Sequence, residues 1–123
     1  MKAQVKMPGK RILLVDDDPS ARRSIKILLS IDRHKVTEAR DADEAQQLFM
    51  QKPFDLVISD YFMPNKLGTE LAVNLWKVSP STPVLMVTGY YEKLIGSGVP
   101  PEAILAKPIR PDKLRQAIAQ AVG

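Results

Sequence analysis

A chain of 123 residues, 45% hydrophobic and 26% charged, has the size and balance of one globular domain with a buried core. It has no cysteine, which excludes disulfides and thiolate metal sites and fits a reducing cytoplasm. No apolar run approaches the roughly 18 residues that span a bilayer, and the basic residues 1–10 lack the apolar stretch of a signal peptide. The net charge of +4 is scattered, with only three Phe, three Tyr and one Trp, so it reads as a solvated surface with no direct nucleic-acid partner.

Residues 1–10 read as a short flexible lead-in to a domain over residues 11–123, without internal repeats. Ile12-Leu13-Leu14-Val15 is a short continuous apolar run, as expected of a strand covered on both faces. It stops at Asp16-Asp17-Asp18. Pro19 then stands where a first helical residue belongs, with Asp18 as N-cap. Ala21, Ile25, Leu28 and Leu29 form the apolar stripe of that helix. Lys35 to Ala39 is a weaker strand, with only Val36 and Thr37 as good strand formers, and reads as an edge. A helix over Ala42 to Gln51 turns Ala45, Leu48 and Phe49 inward. Leu56-Val57-Ile58-Ser59 is the third strand and ends at Asp60. Pro64 and Gly68 break the chain before a helix from Thr69 to Val78 with the stripe Leu71, Ala72, Leu75 and Val78. Val84-Leu85-Met86-Val87 ends at Thr88-Gly89. Gly96, Gly98, Pro100 and Pro101 then leave room for a short helix at most before a fifth strand, Ala103 to Ala106. A last helix after Pro111 buries Leu114, Ala117, Ile118, Ala121 and Val122.

Five strands alternating with helices predict a doubly wound α/β sheet with helices on both faces. Ligands of such sheets bind beyond the carboxyl ends of the strands. The residues there are Asp16 and Asp17, Asp60, Thr88 and Lys107. Taken singly, each has an ordinary reading: an acidic helix start, a loop carboxylate, a strand-end hydroxyl, a surface charge. Together they differ. Three carboxylates at one edge repel, and a hard divalent cation such as Mg²⁺ relieves them. Adding a hydroxyl and an ammonium makes a phosphoryl site, in which one carboxylate is left as a nucleophile.

The motifs Ile-Leu-Leu-Val-Asp-Asp-Asp-Pro (12–19), Leu-Val-Ile-Ser-Asp-Tyr-Phe-Met-Pro (56–64), Val-Thr-Gly (87–89) and Lys-Pro (107–108) resemble, in order and spacing, those of the receiver domain of two-component response regulators. The resemblance covers essentially residues 11–123. It implies a flavodoxin-like five-stranded parallel sheet of order 2-1-3-4-5. It assigns Asp60 as the phosphorylated aspartate and Asp16 and Asp17 as the pair that holds Mg²⁺, Asp17 directly and Asp16 through water. The backbone carbonyl of Phe62 completes the protein's share of the metal shell. Thr88 matches the switch hydroxyl, and Lys107 the lysine that pairs with a phosphoryl oxygen. Pro108 follows it, in the family often through a cis bond. The implied donor is a phosphohistidine on a histidine kinase or histidine phosphotransfer protein. His34, the sole histidine, lies in a helix-to-strand connection and is not read as that donor.

Three departures from the family pattern matter. Ile104 stands where the family usually carries an aromatic that rotates inward, so coupling to the output face is expected to be altered. The breaker-rich Tyr90 to Pro101 segment implies a curtailed fourth helix, a trait of receivers in hybrid sensor kinases. Phe62 and Tyr90 occupy the positions that influence acyl-phosphate hydrolysis, and the apolar Phe62 implies slow self-dephosphorylation.

The expected function is a self-modifying phosphoacceptor, not a turnover enzyme, acting through an unknown downstream protein because 123 residues leave no room for an output domain. The chain reads as stand-alone or as a piece of a hybrid protein, with Met1 favouring an intact chain or a boundary cut. The last helix and its surroundings offer a face for a homodimer. A flavodoxin-like cofactor protein is disfavoured, because Asp16-Asp17-Asp18 would repel a phosphate without a metal. An aspartyl phosphatase would need a second acid/base carboxylate and a substrate cap, and a receiver fold used only for binding would not need the full acidic pocket.

Overall fold

The computed structural model describes residues 9–123; residues 1–8 of the expected lead-in lie outside the described residues. The elements are β1 (Arg11–Val15), α1 (Pro19–Ile31), β2 (Lys35–Ala39), α2 (Ala42–Gln51), β3 (Leu56–Asp60), α3 (Gly68–Val78), β4 (Val84–Thr88), α4 (Tyr91–Leu94), a 3-10 turn at Pro101–Ala103, β5 (Ile104–Ala106) and α5 (Pro111–Val122). The strands form one parallel sheet in the order β2-β1-β3-β4-β5, the order expected, with β2 at an edge.

Alternation along the strands divides the core into two layers. Leu13, Val15, Val57 and Met86 pack under α2 and α3 with Ala45, Leu71, Ala72 and Leu75. Ile12, Leu14, Ile58, Leu85 and Val87 pack on the other face against Ile25 and Leu29 of α1 and Leu114, Ala117 and Ile118 of α5. Residues of both sets in β1 are fully buried, which is why that strand shows no polar alternation in the sequence.

Helix starts follow local chemistry. The Asp18 carboxylate accepts from the Ser20 amide, with Pro19 at the first helical position, and the Asp41 carboxylate accepts from the Glu44 amide. Glu70 reaches back to the Leu67 amide, so α3 begins one residue before the expected Thr69.

Other details differ from the sequence expectation. Val78 is 57% exposed. It is the final residue of α3, and the chain turns off at Ser79, whose hydroxyl is 2.7 Å from that of Thr82, instead of carrying the stripe further across the sheet. Ala121 and Val122 are partly buried, packed against the α1/α5 layer. Lys10, read as part of a flexible lead-in, is docked: its amide donates to Nδ1 of His34 at 2.9 Å and its carbonyl accepts from the Lys35 amide at 2.9 Å. Burial, which disfavours the charged imidazole, keeps the His34 pKa below its ordinary value, consistent with an acceptor nitrogen.

Candidate functional site

All five strands run the same way, so the ends of β1, β3, β4 and β5 deliver Asp16, Asp60, Thr88 and Lys107 to one edge. Asp16 and Asp17 follow β1 directly, and Asp60 ends β3. One carboxylate oxygen from each of Asp16, Asp17 and Asp60 lies within 4.8 Å of the other two. Asp16 is 1% exposed, while Asp17 is open to solvent. Lys107 Nζ lies 3.2 Å from Oδ2 of Asp16 and 3.5 Å from Oδ1 of Asp60. The Lys107–Pro108 peptide is cis.

The electrostatics follow from that crowding. Burial, seconded by repulsion from Asp16, raises the Asp60 pKa to about 6, and the attraction of Lys107 offsets only part of it. Burial opposes the charge of Lys107, but Asp16 and Asp60 outweigh it and hold its pKa above the ordinary lysine value. One ammonium lies beside two of the three clustered carboxylates, so negative charge is in excess at this edge. The donors are all hard oxygens, and Asp17 faces water. This set fits a hard divalent cation, and Mg²⁺ in particular prefers few carboxylates with water and phosphate oxygens completing its shell.

Thr88 is buried, one residue beyond Val87, the register partner of Asp60. Its Oγ1 accepts from the Tyr90 amide at 2.8 Å, leaving its own O–H free to donate, and its carbonyl accepts from the Lys107 amide at 2.9 Å. The β4 and β5 ends are thus tied together. Phe62 is 44% exposed, and its ring meets that of Tyr61 edge-on at 4.8 Å and that of Tyr90 at 5.3 Å. Lys93 Nζ lies 5.1 Å from the centre of the Tyr90 ring.

Gly68, read in the sequence only as a chain breaker, is required by close approach. A Cβ there would lie 2.4 Å from the Asp60 carbonyl oxygen and 2.8 Å from Met86 Sδ. The Gly68 amide donates to the Tyr61 carbonyl at 2.8 Å, closing the β3–α3 loop over the strand end, and Asn65 takes the left-handed conformation (φ 59°) within it. Gly68→Ala is therefore expected to destabilise the fold by about 1–3 kcal/mol, the usual range for overpacking, and to slow any chemistry at Asp60. Chemical denaturation checks it; a stability equal to wild type would mean the loop relaxes freely. Arg22 was also missed. It lies in the first turn of α1 and donates from Nη1 to the Asp16 carbonyl at 2.7 Å.

Comparison with known proteins agrees with this geometry. The family model of the response regulator receiver domain matches residues 12–119. The chain is 31% identical over 121 residues to the response regulator protein PilR of Pseudomonas aeruginosa, aligning 94% of this chain with 27% of that protein. It is 30% identical over 118 residues to the sensor histidine kinase AruS of the same organism, aligning 89% of this chain with 12% of that protein. The chain thus spans about a quarter of PilR and less of AruS. A crystal structure of a response regulator receiver domain protein from Clostridium thermocellum superposes with a TM-score of 0.80 at 29% identity, over 91% of this chain and 93% of that one. The motifs, the sheet order, the acidic edge with its lysine and the family match converge: the chain belongs to the response regulator receiver domain family of two-component signalling.

Proposed function

We propose that this chain is a Mg²⁺-dependent phosphoacceptor. Asp60 takes a phosphoryl group from a phosphohistidine on a histidine kinase or histidine phosphotransfer protein, and the product switches protein–protein contacts. The observation that carries this reading is the placement of a mostly buried carboxylate, Asp60, beside an ammonium and two further carboxylates at the sheet's carboxyl edge. Asp16, Asp17, Asp60 and the Phe62 backbone carbonyl would hold the ion, which when bound supplies positive charge against the carboxylates and the phosphoryl oxygens.

The chain's own residues do the rest. An oxygen of ionised Asp60 attacks phosphorus, the bond from phosphorus to the imidazole nitrogen breaks, and that nitrogen keeps the electron pair and takes a proton. Asp60 becomes a mixed acyl phosphate. Lys107, already aimed at Asp60, pairs with a phosphoryl oxygen, and the Thr88 O–H donates to another. Ile104, 6% exposed in the layer under α3 and α4, replaces a swinging aromatic with a packed aliphatic, so the signal leaves through a shift of the β4–β5 ends without a ring rotation.

Incubation with a small phosphodonor and Mg²⁺ tests the reading. One phosphoryl group per chain, absent in Asp60→Ala, is the expected result; repeated turnover of the donor would instead indicate a phosphatase. Phe62 offers no hydrogen bond to orient water, and its ring packs edge-on against that of Tyr90. Self-dephosphorylation is accordingly expected to be slow, and Phe62→Asn to hasten it by about tenfold or more. Decay of the labelled protein measures this, and a wild-type half-life of seconds would contradict it. We place this activity in the cytoplasm; among the described residues no helix is long and apolar enough to cross a membrane. The downstream partner is a protein, either a separate one or another part of a longer chain, and α5 with its surroundings offers the face for a homodimer.

A further inference from the structure

Among the described residues four hydrogen bonds hold Asp16, and they do different things. Its amide donates to the Ala39 carbonyl at 3.1 Å, which extends the β1–β2 ladder. Its Oδ1 accepts from the Asp18 amide at 2.9 Å and its Oδ2 from Lys107 at 3.2 Å, which fix the carboxylate. The fourth falls on the backbone carbonyl, the oxygen of the peptide joining Asp16 to Asp17, and it comes from Arg22 Nη1 at 2.7 Å. The same guanidinium donates from Nε to Oε1 of Glu38 at 3.0 Å. Oε2 of Glu38 in turn takes Lys26 Nζ at 3.0 Å. The Arg22 side chain is only 18% exposed.

We propose that Arg22, braced by Glu38, is a positioning residue for the acidic site: by holding the Asp16–Asp17 peptide it sets the direction in which Asp17 presents its carboxylate. The proposal rests on the phosphoacceptor reading above and deepens it. Asp17 is exposed, and among the described residues its carboxylate makes no hydrogen bond. Its aim is therefore set by the backbone that carries it, and the peptide preceding it is the one Arg22 grips. Glu38 is the register partner of Leu14 on β2, so the edge strand takes part in the site without supplying a ligand. Lys26, on the solvent side of Glu38, helps keep that carboxylate ionised: its hydrogen bond is the largest influence lowering the Glu38 pKa, partly opposed by burial and joined by Arg22. The planar fork of the guanidinium suits this bridge, since two of its nitrogens serve two partners at a fixed angle, which a lysine ammonium on a flexible stem does not reproduce.

A cation near three carboxylates also acts through its field, and the two effects have opposite signs. Losing the charge of Arg22 would tighten Mg²⁺ binding, because less positive potential repels the ion. Losing its orienting bond would loosen binding, and groups that orient metal ligands typically matter by about 10–100-fold in affinity. The sign of the change therefore separates positioning from charge.

The test is isothermal titration of the whole chain with Mg²⁺ alone, for wild type, Arg22→Gln, Arg22→Lys and Arg23→Gln, with the Asp16 carbonyl ¹³C shift recorded in metal-free protein. Arg22→Gln and Arg22→Lys should each weaken Mg²⁺ about tenfold and move the Asp16 carbonyl resonance, the lysine variant despite its retained charge. Arg23→Gln, which removes the same charge from an exposed neighbour, should stay near wild type. Tighter binding in Arg22→Gln, wild-type affinity in Arg22→Lys, or an equal loss in Arg23→Gln overturns the proposal. So does a lowered melting temperature with unchanged Mg²⁺ affinity, which would leave Arg22 a structural role only. Arg22→Lys keeps the test decisive if the glutamine variant does not fold. A wild-type chain that binds no Mg²⁺ would overturn the phosphoacceptor reading itself, a result distinct from any pattern among the variants.

Discussion

Replacing Asp60 by Asn is expected to abolish phosphoryl uptake and, at the same time, to stabilise the metal-free protein at pH 8 by about 1–2 kcal/mol. The second effect follows from the raised pKa of about 6, against 3.8 for an unperturbed aspartate. Two units correspond to about 3 kcal/mol, and partial solvent access at the mouth reduces what is realised. The sign is fixed by linkage. The folded-state pKa lies above the unfolded one, so the unfolded chain releases this proton first as pH rises. The contribution of Asp60 to stability is complete below pH 3.8 and is lost as pH rises through about 6. The advantage of the Asn variant should therefore grow between pH 4 and pH 6, be complete above pH 6 and vanish below pH 4. Urea denaturation of both proteins at the two pH values, without divalent cation, measures it. A variant less stable than wild type at pH 8 would contradict a crowded acidic edge. Saturating Mg²⁺ should stabilise wild type more than the variant, because the ion binds the native site and loses a ligand in Asp60→Asn.

Lys107→Met should have the opposite effect. The ammonium is the counter-charge shared by Asp16 and Asp60, and Asp16 is almost wholly buried. Removing one member of a buried pair strands the other, at a typical cost of about 3–5 kcal/mol. Here Asp60 can take up a proton and Lys107 is partly exposed, so about 2–3 kcal/mol at pH 8 is expected. The Asp60 pKa should move further up, and phosphoryl uptake at neutral pH should slow as its ionised fraction falls. Adding Asp60→Asn should recover part of the loss, since two sites that share a charge are not additive. Full recovery is not expected, because among the described residues Asp16 keeps only the Asp18 amide on its carboxylate. Denaturation of the single and double variants gives the coupling, and a Lys107→Met protein as stable as wild type would remove Lys107 from the site's electrostatics.

The sheet was legible because its inner strands, β1, β3 and β4, are buried on both faces. Runs such as Leu56 to Ser59 carry no alternation and end at charged or hydroxyl residues, and Pro19, Pro64 and Pro111 punctuate the connections. The approximate bounds read for β2 and α2 coincide with Lys35–Ala39 and Ala42–Gln51, and capping by Asp41, which the sequence reading did not use, fixes the start of the helix. The convergence of Asp16, Asp60, Thr88 and Lys107 followed from parallel strands alone. What the sequence did not disclose are contacts between elements with no local signature. Gly68 looks like any loop glycine until the Asp60 carbonyl is placed 2.4 Å from where its Cβ would be. Arg22 and Glu38 are sixteen positions apart and meet only because α1 packs beside the edge strand. The docking of Lys10 on His34, and the exposure of Val78 at the end of an otherwise regular stripe, depend likewise on where neighbouring segments stop.

The most direct test of the central claim is peptide mapping by mass spectrometry after incubation of the intact chain with acetyl phosphate and Mg²⁺. The account predicts one hydroxylamine-labile phosphoryl group, found only on the peptide that contains Asp60, and lost when Mg²⁺ is chelated or Asp60 is replaced by Ala. Label on a serine, threonine or histidine peptide, or undiminished labelling of Asp60→Ala, would contradict it.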